Sequence, residues 1–111
     1  MRLRDLEAEF LEYQHTHSFR RIELFSDADG IVFLCPKCYA DRASNVGVHS
    51  VICWFRGHVP DEAFPAPGRW TPAGTGLDDL TFVPGDPPMA TSVLLTGGCR
   101  WHGFVTNGDA T

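Results

Sequence analysis

The sequence has a single lysine, a deficit of basic residues and no long apolar run. Its 111 residues carry nine basic and 14 acidic side chains, which gives a formal net charge of −5. This balance disfavours a nucleic-acid-binding protein, because binding to phosphate needs a basic surface. The longest stretches without a charged residue, 43–55 and 87–99, each have 13 residues. Since a membrane-spanning helix needs about 20 apolar residues, we expect no membrane segment.

The N-terminal residues also lack the apolar segment of a secretory signal peptide. Asp5 and Glu7 lie where such a peptide is hydrophobic, so we expect a cytoplasmic protein. The composition, 43% hydrophobic and 21% charged, is ordinary for a globular protein and excludes disordered and collagen-like classes. A chain of this length is large enough for one domain and too small for two, which predicts a single domain over residues 1–111.

Hydrophobic periodicity predicts one helix followed by a run of short strands. Leu3, Leu6, Phe10 and Tyr13 recur at helical spacing and predict an amphipathic helix over about residues 3–14. Apolar runs bounded by turn residues predict six strands, at residues 19–25, 31–34, 46–55, 80–83, 92–95 and 101–106. The segment 56–69 contains three prolines and is expected to be an irregular loop.

The four cysteines give the strongest indication of function. Cys35 and Cys38 form a Cys-x-x-Cys pair, and Cys99 and His102 form a Cys-x-x-His pair. This spacing suits zinc, because one tight turn can aim two ligand atoms at one point while its backbone N–H groups bond to sulfur. Two such turns complete a tetrahedral shell, so the sequence predicts a structural Cys₃His zinc site. The predicted fold is a small α+β domain, mainly antiparallel β and zinc-ribbon-like. It has one N-terminal helix and a zinc-linked β body over about residues 19–109.

His49 and Cys53 are possible further members of the site. By the alternation of a strand they share one face with Val51 and Phe55, and they can supply alternative metal ligands. His49 can instead orient a ligand or transfer a proton beside the metal, and Cys53 can simply be a core residue. Three other interpretations of the cysteines stay open: buried thiols without metal, a redox pair in the Cys-x-x-Cys motif, and structural disulfides.

The C-terminal residues resemble those of an uncharacterised family of small proteins from tailed phages and bacteria. The resemblance lies in residues 76–84 and 98–108, above all in Cys99-x-x-His102 with its apolar continuation and the Asn107-Gly108 turn. The upstream cysteine pair at 35–38 matches the family too, while residues 83–85 lack its usual Pro-Ser. The resemblance implies a zinc-binding domain in a phage or prophage setting, hence in the cytoplasm of the host cell. It implies no particular activity.

These features predict a zinc-stabilised protein-interaction module without catalytic activity. Its partner would be another protein, contacted through Trp70 and the proline-rich residues 60–72. The first alternative is a zinc-dependent hydrolase with a metal-bound water, in which His49, Asp78 or Asp79 handles the proton. The second is a nucleic-acid-binding zinc ribbon, which the acidic balance disfavours.

Overall fold

A four-stranded antiparallel sheet forms the centre of the molecule. The computed structural model describes residues 1–15, 18–96 and 98–111. The sheet has the strand order β2-β1-β3-β4, so the first strand lies inside and pairs with both β2 and β3. Its strands are β1 (Glu9–His15), β2 (Ser18–Ile22), β3 (Gly30–Leu34) and β4 (Ser50–Trp54).

The rest of the regular structure is short. Helix α1 (Pro36–Arg42) connects β3 to β4. Three antiparallel pairs follow in the C-terminal half: β5 (Thr71–Ala73) with β6 (Thr81–Val83), β7 (Val93–Leu94) with β8 (His102–Gly103), and β9 (Val105–Thr106) with β10 (Asp109–Ala110). The predicted α+β class, mainly antiparallel β, is confirmed. Among the described residues, no helix has the length and apolarity needed to cross a bilayer.

The helix predicted over residues 3–14 is wrong. A 3₁₀ turn at Leu3–Leu6 ends at Glu7, whose φ of 54° lies in the left-handed region, and the chain continues as β1. The apolar spacing fits this arrangement equally well, because one 3₁₀ turn buries both leucines on one side. Phe10 and Leu11 are then both buried, on opposite faces of the strand. The helix of the described fold lies at α1, where the sequence predicted only a tight turn.

The sheet has an apolar cluster on each face. Along β4, Val51 and Cys53 belong to the larger cluster and Trp54 to the smaller one, as strand alternation requires. The larger cluster includes Phe33, whose ring meets that of Trp101 edge to face at 6.0 Å, and it is covered by the C-terminal segments. Among the described residues, the buried members of the smaller cluster are Leu11, Val32, Trp54 and Ala63.

Residues 57–70, which we term the arginine loop, cover the smaller cluster. The guanidinium of Arg69 donates hydrogen bonds of 2.8 to 3.3 Å to backbone carbonyls of the same loop. The acceptors belong to Pro60, Asp61, Ala63, Pro65 and Gly68. The indole N–H of Trp54 donates to the Phe64 carbonyl at 2.9 Å, which ties the loop to the sheet.

Candidate metal centre

Four potential metal ligands converge at one end of the larger cluster. The ligand atoms of Cys35, Cys38, His49 and Cys99 all lie within 4.8 Å of one another. Cys35 Sγ is 3.5 Å from Cys99 Sγ, and His49 Nε2 is 3.3 Å from the same sulfur. In a tetrahedral zinc site the distances between ligand atoms are about 3.6–3.8 Å, as the usual Zn–S and Zn–N lengths require. The group therefore has the composition and nearly the spacing of a Cys₃His metal site.

The beginning of α1 positions the two cysteines of the Cys-x-x-Cys pair. Cys35 is the N-cap residue, and Pro36 occupies the first helical turn, where its missing N–H costs nothing. Cys38 follows within that turn, which brings its thiol to the side of Cys35. Burial raises the pKa of Cys35, and the backbone N–H groups of Cys38 and Lys37 partly offset that rise. The beginning of α1 thus brings both thiols of the pair into one group, as the two-residue spacing predicted.

The ladder between β3 and β4 positions His49. Leu34 pairs with Ser50, and beyond the strand ends the Cys35 N–H donates to the His49 carbonyl at 3.0 Å. This bond extends the antiparallel register by one step, so that His49 lies opposite Cys35. Cys35 is fully buried and His49 is exposed, so the group lies at the boundary between core and solvent.

The loop between β7 and β8 supplies the third cysteine. The Leu95 N–H donates to the Trp101 carbonyl at 2.9 Å, which closes the base of the loop. Lys37, the single lysine of the chain, donates from Nζ to the Cys99 carbonyl at 3.0 Å. The loop is thus joined to the beginning of α1 by a hydrogen bond as well as by the convergence of sulfurs.

Burial and hydrogen bonding shift the pKa values of the two contacting thiols, Cys35 and Cys99, in opposite directions. The hydrogen bond with His49 is the largest cause that lowers the pKa of Cys99, to about 6, and the Trp101 N–H and the other two thiols of the group also lower it. Burial raises the pKa of Cys35 to about 11. Of these two thiols, Cys99 is therefore the more acidic and loses its proton first. A divalent cation would displace the Cys35 proton when it binds.

The fourth member of the group is His49, not His102. His102 lies on β8 opposite Leu94, with its side chain exposed and its ring 6.2 Å from that of Phe104. The physical reason is strand alternation: Trp101 faces the core, so the next residue faces solvent instead of continuing the turn that begins at Cys99. Of the Cys-x-x-His pair, Cys99 therefore belongs to the described group and His102 does not. His49, which the sequence offered as an alternative ligand, is the histidine of the group.

The remaining candidate residues have structural roles. Cys53 is fully buried in the larger cluster, outside the metal-ligand group, and burial raises its pKa. Asp78 pairs with Arg4 on the surface. Asp79 accepts hydrogen bonds from the backbone N–H groups of residues 75 and 76 and from the hydroxyl of residue 75, which lowers its pKa and marks it as a turn residue. Trp70 stacks on Phe82 and donates to a backbone carbonyl, so it packs within the fold.

Comparison with known proteins gives no match for this chain. No protein-family model, no curated protein and no solved structure matches the chain.

Proposed function

We propose that the protein is a small binding module stabilised by one Zn²⁺ ion held by Cys35, Cys38, His49 and Cys99. The observation that supports this most strongly is the convergence of these four ligand atoms within 4.8 Å from three separate segments of the chain. Three sulfurs and one imidazole nitrogen form a ligand set that favours zinc over calcium or magnesium, which prefer oxygen.

The proposed role of the ion is structural. Four protein ligands fill a tetrahedral shell, and such closed sites stabilise folds, whereas catalytic zinc keeps a position for water. Three thiolates and one Zn²⁺ together carry a net charge of about −1, which makes the metal a weaker Lewis acid than in a histidine-rich site. A structural zinc ion contributes on the order of 10 kcal/mol to folding. This is comparable to the total stability of a small domain. The hydrolase alternative therefore has less support than the structural one.

The proposed partner is another protein. Phe64, on the arginine loop, leaves 65% of its surface exposed and offers an apolar contact. Nucleic acid is disfavoured because the adjacent arginines, Arg20 and Arg21, already pair with Glu12 and Glu9. A photoreactive phenylalanine analogue at position 64 should crosslink one defined partner in cells that produce this protein. An equal pattern from the same analogue at the exposed position 104 would contradict a specific site. The phage setting implied by the resemblance stays a prediction.

Elemental analysis and thermal unfolding test the zinc site together. The protein purified without added chelator should contain close to one zinc per chain. A strong chelator should remove the zinc and lower the unfolding midpoint, and re-addition of zinc should restore it. An unchanged midpoint after complete removal of zinc would show that the ion is not structural.

A further inference from the structure

We propose that Cys99 is an oxidation site for hydroperoxides, and that its oxidation forms a disulfide with Cys35 and releases the zinc ion. This inference rests on the proposed zinc site and adds a means of regulating it. The Cys35–Cys99 sulfur distance of 3.5 Å and the unequal exposure of the three ligand sulfurs support it.

Cys99 is the ligand sulfur that solvent reaches most easily. Cys35 is fully buried and Cys38 is 7% exposed, whereas Cys99 is only partly buried. The neighbouring His49 is exposed as well, so a molecule as small as hydrogen peroxide can approach Cys99 Sγ from that side. As a zinc ligand Cys99 is already a thiolate, which is the form that attacks a peroxide, and His49 Nε2 lies 3.3 Å from its sulfur.

Cys35 is placed to resolve the oxidised sulfur. Its Sγ touches Cys99 Sγ at 3.5 Å, and a disulfide requires these atoms to approach to about 2.05 Å. A displacement of this size is within the reach of side-chain rotation in a loop such as that of Cys99. Cys53 is not in the group and is fully buried, so it is not a competing partner. Cys38 is the competing partner, and disulfide mapping distinguishes it.

The chemistry balances with one hydroperoxide as the oxidant. The Cys99 thiolate attacks one peroxide oxygen and the O–O bond breaks, which gives the sulfenic acid and one hydroxide ion. The Cys35 thiolate then attacks the Cys99 sulfur, the S–S bond forms, and the S–O bond breaks to release a second hydroxide. Two thiolates are thus oxidised by two electrons and one peroxide is reduced. Only Cys38 and His49 remain as ligands, which is too few to retain zinc.

The Cys35–Cys99 disulfide would keep joined the two segments that the metal joins. Cys35 and Cys99 are 64 positions apart, so their disulfide connects the beginning of α1 to the loop between β7 and β8 as the metal does. The oxidised chain would therefore stay folded while it exchanges its metal for a covalent bond. A thiol reductant and zinc should reverse the change.

The test treats the zinc-loaded protein with one equivalent of hydrogen peroxide and follows zinc release with a chelating dye. We expect one zinc per chain to be released as two of the four thiols are lost. Peptide mapping should find Cys35 joined to Cys99, with Cys38 and Cys53 still free to alkylate. Reductant plus zinc should restore the starting state. The Cys53→Ala variant is the matched control and should respond as the unaltered protein does.

The outcomes separate this inference from the zinc site itself. A reduced protein that contains no zinc before peroxide is added overturns both proposals. Zinc that is bound at the start but retained after oxidation, or a main disulfide product that joins Cys38 to Cys99 or to Cys35, overturns the proposed oxidation and leaves the zinc site standing. Because the mapping uses the unaltered chain, it does not depend on whether a Cys99 variant folds.

Discussion

The two faces of the central sheet are covered by irregular segments that are held in different ways. On the larger face, Cys35, Cys38, His49 and Cys99 join three segments around the proposed zinc ion. On the smaller face, Arg69 organises the arginine loop through five backbone carbonyls. In both places a positive centre surrounded by several ligands replaces the regular hydrogen bonding that the covering segments lack.

The two centres differ in how far along the chain they reach. The contact between Cys35 and Cys99 joins residues 64 positions apart, whereas the carbonyls bound by Arg69 lie at most nine positions away. A long-range link fixes the relative placement of distant segments, and its loss affects the whole fold, while a local link organises one loop. The comparison teaches that the metal site should control global stability and the arginine only the stability of its own face.

Removal of Cys99 should give the largest effect. Cys99→Ala takes away a ligand and the link to the C-terminal loop, so we expect loss of zinc and a fall of about 20 °C or more in the unfolding midpoint. The matched variant Cys53→Ala removes a sulfur from the same cluster but not from the group. It should keep one zinc per chain and lose about 1 kcal/mol. Calorimetry with zinc analysis measures both; equal losses in the two variants would contradict the distinction.

Lowering the pH should have the second-largest effect, which is the release of zinc. The pKa of Cys99 is lowered from an ordinary value of 9.0 to about 6, so the stabilisation that its thiolate provides is complete above about pH 9 and is lost as the pH falls through about 6. Since protons compete with zinc for all three sulfurs and for the imidazole, we expect zinc to dissociate as the pH is lowered. Equilibrium dialysis across the pH range gives the midpoint.

The variant His49→Ala sharpens the pH experiment. It removes both the imidazole ligand and the hydrogen bond that is the largest cause of the low pKa of Cys99. The midpoint of zinc release should therefore move to higher pH. A midpoint that stays in place would show that His49 does not act on Cys99.

Removal of Arg69 should have a moderate and local effect. Arg69→Ala leaves several loop carbonyls without their charged donor, and we expect a loss of about 2 kcal/mol with zinc content unchanged. Limited proteolysis should cut the variant within residues 57–70. The exposed Arg42→Ala is the control and should change stability by less than about 0.5 kcal/mol. Loss of zinc from the Arg69 variant would mean that the two faces are not independent.

Removal of His102 should have the smallest effect. His102 is exposed on β8 and lies outside the group, so His102→Ala should retain zinc and change stability by less than about 0.5 kcal/mol. The parallel variant His49→Ala should weaken zinc binding by about tenfold or more, because it removes a ligand. Competition with a zinc-binding dye compares the two affinities. If His102→Ala weakened zinc binding more than His49→Ala did, His102 would be the fourth ligand, as the sequence spacing predicted.

The features that were predictable from the sequence depend on neighbouring residues. Strand positions such as 31–34 and 80–83 follow from short apolar runs and agree with β3 and β6 to within one residue. The cysteine pair at 35–38 is equally local, because a two-residue spacing determines which side of a turn each thiol occupies. The burial of Cys53 beside Val51 follows from strand alternation. These are inferences that need no knowledge of the tertiary fold.

The features that were missed, or were predicted only as alternatives, are not determined by a pattern of neighbouring residues. His49 joins the group because of the register between β3 and β4, and a shift of one residue would turn its side chain to the other face. The N-terminal helix was wrong because a 3₁₀ turn followed by a strand satisfies the same apolar spacing as a helix. The role of Arg69 has no sequence pattern, since its acceptors are backbone carbonyls that every residue carries.

X-ray absorption at the zinc edge of the purified protein gives the number and type of the zinc ligands. We expect one zinc per chain with three sulfur ligands at about 2.3 Å and one nitrogen ligand at about 2.0–2.1 Å. Bound zinc with a water oxygen in its shell, or with fewer than three sulfurs, would contradict the structural Cys₃His site.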